Sequence, residues 1–397
     1  MRLAEAHGFK PKAFFFYFTM LLFVYYLALA PGLGHTQSLD FRGYLKSMNA
    51  VMIVPKWPEW LVSGMIHNRI DIACQPLSKL QLAVGMRNRL IYGDLLRLIP
   101  DYAEQLKKDP GYWRWSGVIA DKHSHVMHST IDRGYIDYSY TSMQLRVGRQ
   151  RINWGLNLVW NPNDLFNSFS YLDFDYEERP GRDAVLITYY TGAVSFFQAA
   201  YQPARIASEA IVAGLYRWNR WGYDFQVLAG RWIHDWMLGA GWSGQLKGGA
   251  FRGEWSCFYP RDKENSRKVL VASLSADYTL RNSLYGQVSA LFNSGGAVHS
   301  AGSIDYLGEQ YLTAKTLTRS RLNAFLQLRY PITPLVTADI SAIHNVYDHS
   351  SYVAPSVILS LSNNIDFLLI GQFFCGKTGH EYGGEIKAYF TRLKWNF

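Results

Sequence analysis

The chain closes with GEIKAYFTRLKWNF, residues 384–397. Tyr389, Thr391, Leu393, Trp395 and Phe397 take alternate positions, and Ala388, Phe390, Arg392, Lys394 and Asn396 fill the places between. A period of two marks a strand whose two faces meet different surroundings, here one apolar and one wet. A strand that finishes on a bare aromatic residue needs surroundings in which that end is at home. The rest of the sequence says which.

Of the 397 residues, 16% are aromatic and only 18% charged, with 27 Tyr, 22 Phe, 13 Trp and 33 Gly. Chains rich in tyrosine, tryptophan and glycine, poor in charge and free of long apolar runs have the make-up of outer-membrane barrels. A soluble all-β protein normally buries fewer aromatics and exposes more charge. The net charge of +9 is spread along the chain. A nucleic-acid binder gathers its Lys and Arg on one segment or face, so no nucleic-acid partner is expected. Cys74, Cys257 and Cys375 lie far apart with neither CxxC nor zinc spacing, which excludes a disulfide scaffold. No cofactor is expected.

Arg2, Lys10 and Lys12 precede the apolar run AFFFYFTMLLFVYYLALA, and PGLGHTQS follows it. A basic start, an apolar middle and the small-residue end Ala28-Leu29-Ala30 have the order of an export signal. Pro31 and Gly32 break the segment directly afterwards, which favours cleavage over retention as an anchor. Residues 1–36 are therefore expected to be removed, leaving 37–397 as one domain. Beyond residue 37 no apolar stretch reaches the ~18 residues that a spanning helix needs. A chain of this kind embeds in a membrane only as a closed barrel, because in lipid only helices and closed sheets satisfy every backbone group.

Period-two segments recur throughout. In KLQLAVGMRNRLIYG, residues 79–93, Leu80, Leu82, Val84 and Met86 oppose Gln81, Ala83, Gly85, Arg87 and Arg89. In RLNAFLQLRY, residues 321–330, Leu322, Ala324, Leu326, Leu328 and Tyr330 oppose Arg321, Asn323, Gln327 and Arg329. Mid-strand arginine cannot face lipid, so that face lines a hydrated lumen. Every second connection is tight: 76–78, 141–142, 191–193, 219–221, 244–245, 281–283, 331–334 and 363–364. The others run longer, notably 94–127, 153–182 and 295–320. Short periplasmic turns alternating with longer outer loops predict an antiparallel transmembrane β-barrel of about 18 strands. Sixteen or fourteen follow if weak segments near 38–60 or 209–245 drop out. The final strand resembles the C-terminal signal read by the barrel-assembly machinery, with Phe397, Trp395, Leu393 and Tyr389 toward lipid as an interfacial aromatic girdle.

LRVGRQRINWG, residues 145–155, with its R-x-G-R-Q and following W-G, resembles a motif of porin-like barrels, including the alginate-export type and uncharacterised outer-membrane families. VWNPNDLFN and YLDFDYEERPGRDAV continue the likeness, which covers roughly residues 143–190. It implies the fold and an outer-membrane location in a Gram-negative bacterium, and leaves the solute open.

Arg146 and Gln150 are expected to face the lumen with Arg87 and Arg89. Arg149 and Arg151 fall on the lipid side unless the strand bulges at Gly148 or has left the bilayer, since mid-membrane Arg there costs about 2–4 kcal/mol. The connection 153–182 carries Trp154, Leu156, Leu158, Trp160, Leu165 and Phe166, which do not belong in water. It is expected to fold into the barrel mouth as a constriction or plug, bent by Pro162, Asn163 and Asp164. Asp173, Asp175, Glu177 and Glu178 lie beside Arg179 and Arg182. They form either an electrostatic filter opposite the lumen arginines or a salt-bridge network fastening the loop to the wall.

HSHVMH sets His123, His125 and His128 in a predicted outer loop, a weak metal candidate. LLRLIPDYAEQLKKDPGY, residues 95–112, reads as a short helix broken by Pro110 that caps the outer mouth. Neither G-x-S-x-G nor H-E-x-x-H occurs, so no enzymatic activity is expected. Two functions fit these features. One is a porin-like barrel that passes or binds a small hydrophilic solute. The alternative is a plugged accessory barrel in an outer-membrane assembly, secretion or export complex. Lipid, the assembly machinery and such a complex are the expected partners.

Overall fold

Period-two segments place one hydrogen-bonding edge on each side of every strand, and each edge must find a neighbour. The structure, a computed structural model, describes residues 38–397 except 56, 58, 100, 108, 110, 169, 174–180, 262–266 and 303–311. The export segment expected at 1–36 lies outside the described residues.

The first strands are β1 (Ser38–Ile53), β2 (Leu61–Leu77), β3 (Leu80–Gly93), β4 (Ser116–Lys122), β5 (His125–Tyr140) and β6 (Met143–Gln150). Next come β7 (Arg182–Tyr190), β8 (Phe196–Gln202), β9 (Ile211–Arg220), β10 (Tyr223–Trp232), β11 (Asp235–Leu246), β12 (Gly249–Pro260) and β13 (Val269–Thr279). The last are β14 (Tyr285–Asn293), β15 (Leu322–Thr333), β16 (Val336–Asn345), β17 (Ser351–Ser362), β18 (Ile365–Cys375) and β19 (Lys387–Asn396). Eighteen of them form a closed antiparallel barrel in chain order. The remaining one, β4, pairs with the outer end of β5, where β6 does not reach.

Closure joins β19 to β1, from Ile53 opposite Lys387 to Tyr44 opposite Asn396. The last residue completes the seam. Gly43 N–H donates to the Phe397 carbonyl at 3.0 Å, and Phe397 N–H donates to the Gly43 carbonyl at 3.0 Å. A Cβ at position 43 would lie 2.6 Å from the Phe397 ring, so glycine there makes room for the terminal aromatic. Tyr389, Leu393, Trp395 and Phe397 are exposed on the outer wall, while Ala388 opposite them is fully buried. Trp395 and Phe397 pack at 5.2 Å between ring centroids, and Phe41 stacks on Phe397 at 5.8 Å.

Tight turns gather at the end of the barrel that holds β19's terminus. Trp221–Gly222 and Lys247–Gly248 have positive φ at both residues (56° and 75°, 51° and 85°), as the twist of a two-residue hairpin requires. Two turns sit further along than the sequence pattern suggests. The one expected at 244–245 is at 247–248, because Gly244 to Leu246 still pair with Phe251 to Gly249. The one expected at 331–334 follows Thr333, because β15 stays paired through a bulge between Pro331 and Thr333. Ladder hydrogen bonds carry strands past the point where apolar alternation fades. At the opposite end the β10–β11 connection is equally tight, with Ile233 at φ 52°, so long connections do not occupy every outer position.

Removing Phe397 is expected to leave the Gly43 pair unmade and the girdle open at the seam. In detergent refolding followed by electrophoresis without boiling, the truncated chain should give at most about a tenth of the compact heat-modifiable band, an assembly loss of about 1.4 kcal/mol or more. An undiminished band would show that β19 closes without its last residue.

Candidate functional site

The chain enters the lumen where β6 leaves the wall. Gly148, at φ 124°, lies so close to Gly134 that a Cβ would fall 2.2 Å from its carbonyl oxygen. Arg149 remains paired with Asp183, on the outward face shared by Val147 and Val185. Its charge is neutralised in place. Arg149 Nε and Nη2 donate to Asp183 (2.8 and 3.0 Å), Nη1 to Asp109 and the Ile131 carbonyl (3.0 and 3.1 Å), and Nη2 to the Trp113 carbonyl (2.8 Å). All five guanidinium protons are thereby satisfied. The Trp115 ring covers the group at 5.1 Å.

From Ile152 onward the chain packs against inward-facing side chains. Ile152, Trp154, Val159, Trp160, Leu165 and Phe166 share one buried cluster with Leu186, Leu215, Leu228, Phe258, Leu291 and Phe325 of the wall. Each such side chain removed from water contributes roughly 1.5–3 kcal/mol. Asp164 N–H closes a turn on the Asn161 carbonyl (3.1 Å), with Pro162 supplying its fixed φ, and this turn lies inside the barrel.

One carboxylate, which the sequence pattern does not single out, fixes the loop's course. Glu254 of β12 is 1% exposed and accepts three backbone N–H groups. Oε1 takes those of Leu156 (2.7 Å) and Asn157 (2.5 Å), and Oε2 that of Asn163 (3.1 Å). Neutral groups complete the grip. Ser256 Oγ donates to the Pro162 carbonyl (2.9 Å), Asn157 Nδ2 to Ser273 Oγ (2.7 Å) and Gln226 Nε2 to the Trp154 carbonyl (2.7 Å). Trp154 Nε1 donates to Gln198 (2.8 Å), and Asn163 Nδ2 to the Ala240 carbonyl (3.0 Å). Periodicity marks such residues as inward-facing. It does not say that three amides of a distant loop converge on one of them.

The lumen arginines are engaged along the wall. Arg69 Nη1 and Arg87 Nη2 both donate to Asp132 Oδ2 (2.6 and 2.8 Å), and Arg69 also holds Asp71 through two bonds. Asp132 is brought inward by a bulge in β5 opposite Gly85 and Met86. Arg146 Nε donates to Asp137 (2.6 Å), and Gln150, fully buried, donates to the carbonyls of Arg146 and Ala184. Arg87 and Arg146 thus meet acids of strands rather than of the loop. Asp173 is exposed, and Asp175, Glu177, Glu178 and Arg179 lie outside the described residues. Glu254 and neutral hydrogen bonds fasten the loop between Trp154 and Asn163.

The stretch after β3 holds two short helices, α1 (Leu95–Leu98) and α2 (Tyr102–Leu106), while Pro110 lies outside the described residues. Leu106 packs on Ile91 and Val126, and Leu95 and Leu98 on Met52, Leu61 and Ala388. These are inward positions, so the helices lie on the lumen side of β1, β2, β3, β5 and β19. The predicted outer loop containing the three histidines is corrected by β4 and β5. His123 is in the turn between these strands, and His125 and His128 belong to β5 because 125–130 pair with both β3 and β4. His128 Nδ1 faces Arg89 Nη2 (3.4 Å) and Nε2 faces Ser116 Oγ (2.6 Å). A guanidinium only donates, so Nδ1 accepts and Nε2 carries the proton. That proton goes to Ser116 Oγ, which itself donates to the Leu106 carbonyl. His128 is therefore neither a base for Ser116 nor open to a metal.

With this geometry in view, solved structures offer a comparison. The chain superposes on Acinetobacter baumannii OccAB4 with a TM-score of 0.58 at 9% identity, over 91% of this chain and 99% of that one. Pseudomonas aeruginosa OccK5 (OpdH) gives 0.58 at 8%, over 90% and 98%. The outer membrane protein OprD of Pseudomonas aeruginosa gives 0.56 at 8%, over 94% and 96%. The fold is that of outer-membrane porins. No protein-family model and no curated protein matches the sequence. In the porin fold an apolar outer belt meets the hydrocarbon and a polar inner wall faces water, as the exposed Leu326, Leu328 and Tyr330 and the buried Asn323 and Gln327 of β15 display.

At the mouth a second buried carboxylate ties three outer connections together. Glu381 accepts Arg319 N–H (2.8 Å) and Asn345 Nδ2 (3.0 Å), and its own N–H donates to Asp348 (2.8 Å). Burial, with Asp348 close by, pushes Glu381 up to about 7, while hydrogen bonds from Ser350 and the Glu381 amide hold Asp348 below the usual carboxylate range despite its own burial.

Two outcomes are expected. Glu254→Gln replaces one acceptor oxygen by an amide nitrogen and presents a donor to amides that also donate, weakening loop docking by about 2–3 kcal/mol. Limited thermolysin should then cut near 155–162 while the barrel stays heat-modifiable; a loop that resists cleavage would show that apolar contacts suffice. Glu381 binds its proton more tightly folded than unfolded, so its contribution is full below its ordinary value near 4.5 and is lost as pH rises through about 7. Hydrogen-exchange protection factors at the Arg319 amide, corrected for intrinsic rate, should fall between pH 5 and pH 8. Protection that is flat or rising would contradict the assignment.

Proposed function

We propose that the chain is a porin-like channel of a Gram-negative outer membrane that passes or binds a small hydrophilic solute. The observation that carries this reading is the placement of loop and charge on opposite sides of the lumen. Ile152 to Phe166, with Tyr171 and Leu172, pack against the wall from β7 to β18. Among the described residues, the arc β19–β1–β2–β3–β5–β6 gathers basic side chains close together. There Arg69 and Arg87 share Asp132, Arg89 meets neutral His128 rather than a carboxylate, and Lys46 stands opposite Lys394 in register with Tyr44 between them. A water-filled passage with fixed charge along one side selects by sign and holds counter-ions close to that side. The loop narrows the lumen, and the arc supplies its field.

Lipid is the partner along the outer belt, and the assembly machinery reads β19 during insertion after residues 1–36 are removed on export. No chemistry is needed beyond passage, and the Ser116–His128 pair, with its proton on Nε2, supplies none.

Conductance in planar bilayers tests the reading. Single-channel currents in asymmetric potassium chloride should reverse at a potential that reports chloride preference. Arg89→Gln should reduce the chloride-to-potassium permeability ratio about two- to fivefold, the loss of one fixed charge beside the path. Folded protein without conductance, or with a ratio indifferent to Arg89, would sink it.

A further inference from the structure

Beneath the loop is a cavity of about 480 Å³, within the ~300–1,000 Å³ range of small-molecule sites. Leu158, Val159 and Tyr171 roof it from the loop, and Tyr285, Gln287, Gln327 and Arg329 face it from β14 and β15. We propose that this cavity is a binding site for an uncharged polyhydroxylated solute of the sugar type.

The charges argue first. Arg329 Nε donates to Asp339 Oδ2 (2.9 Å), and Gln327 Nε2 donates to the same oxygen (2.7 Å). Arg252 is likewise paired with Asp277. These two cations and two anions surround Tyr285 and cancel. An anion drawn to Arg329 meets Asp339 beside it, and a cation drawn to Asp339 meets Arg329. The cavity wall is thus polar without a net sign.

The neutral groups argue next. Tyr171 packs edge-on to Phe325 at 4.7 Å, with its hydroxyl near Ser341. Burial pushes that phenol up to about 12, so it remains protonated at any physiological pH. Tyr285 donates to Gln287 Oε1 (3.1 Å), which orients ring and amide together. Aromatic faces and the apolar roof take the C–H surface of a sugar ring. Carboxamides, which donate and accept on one side chain, match hydroxyls, which do the same. An apolar roof over a charge-balanced floor of amides and phenols fits a ligand with many hydroxyls and no charge.

The site depends on the channel reading only for access, and two measurements on the full chain keep the two apart. Equilibrium dialysis of labelled maltose against protein in a detergent without a sugar headgroup tests the site. Saturable binding in the millimolar range is expected, weakened about tenfold or more by Gln327→Ala and by Tyr285→Leu, but not by the outward-facing Leu328→Ala. Gluconate and choline should compete at least tenfold more weakly than maltose. Heat-modifiability confirms that each variant is folded. Planar-bilayer conductance tests the channel separately. Maltose binding with this sensitivity but no conductance retains the site and removes the channel. Conductance without maltose binding, or with gluconate or choline held more tightly than maltose, overturns the site.

Discussion

In hydrocarbon no water is present to accept a backbone proton, so every N–H and C=O of a membrane-crossing strand needs a partner within the protein. Closure of β19 onto β1 meets that demand for the two strands that would otherwise be edges. Other features follow from it. The outer face must be apolar, so polar groups turn inward; the strand ends must meet, so a terminal aromatic pairs with Gly43; and an arginine left on the outer face must bring its own counter-charges. Arg149 does so with Asp183 from the adjoining strand and Asp109 from a segment arriving from elsewhere. A cation that would be costly in isolation becomes a joint between β6, β7 and the chain that leads into β4.

A barrel of this circumference encloses more space than its wall side chains fill. The loop after β6 occupies the surplus, and its apolar residues meet Leu215, Leu228, Phe258 and Leu291 on the inner wall. Apolar contact draws the segment in but does not specify its path, because it has no direction. Direction comes from Glu254, whose two oxygens fix three amides, two before the Asn161–Asp164 turn and one within it. A carboxylate in a dry interior is tolerated when its lone pairs are taken, and this one anchors the loop by taking amides that would otherwise be unpaired. The same device recurs at the mouth, where Glu381 collects donors from the connections around Arg319 and Asn345. Two buried acids thus set the shape of the passage at two depths.

Much of this was legible in the residues alone. Strict alternation in 79–93 and 321–330, the tight turns and the arginines in mid-strand told of a closed barrel, its inner and outer faces and a count near eighteen. Turn positions slipped by up to three residues at 244–248, because backbone pairing outlasts apolar alternation. Strand β4 is not legible because seven residues with one neighbour carry little periodicity, and the histidines beside it read as loop for the same reason. The acid that secures the lumen loop was invisible for another reason. Glu254 is one of many polar residues at inward positions, and its role arises from amides almost a hundred positions earlier.

By itself, the sequence determined the class of fold, because the period of two and the placement of charge are local properties that the solvent on each face enforces directly. It also set the expectation that the apolar connection 153–182 would leave water, since hydrophobicity is a property of residues. Only the tertiary structure decided where that segment goes, which acids Arg69, Arg87, Arg146 and Arg149 meet, and that the space beneath the loop is polar but balanced in charge. Those outcomes depend on groups far apart in the chain meeting within a few ångströms, and the energy of a buried charge is set by its neighbours in space, which no local pattern records.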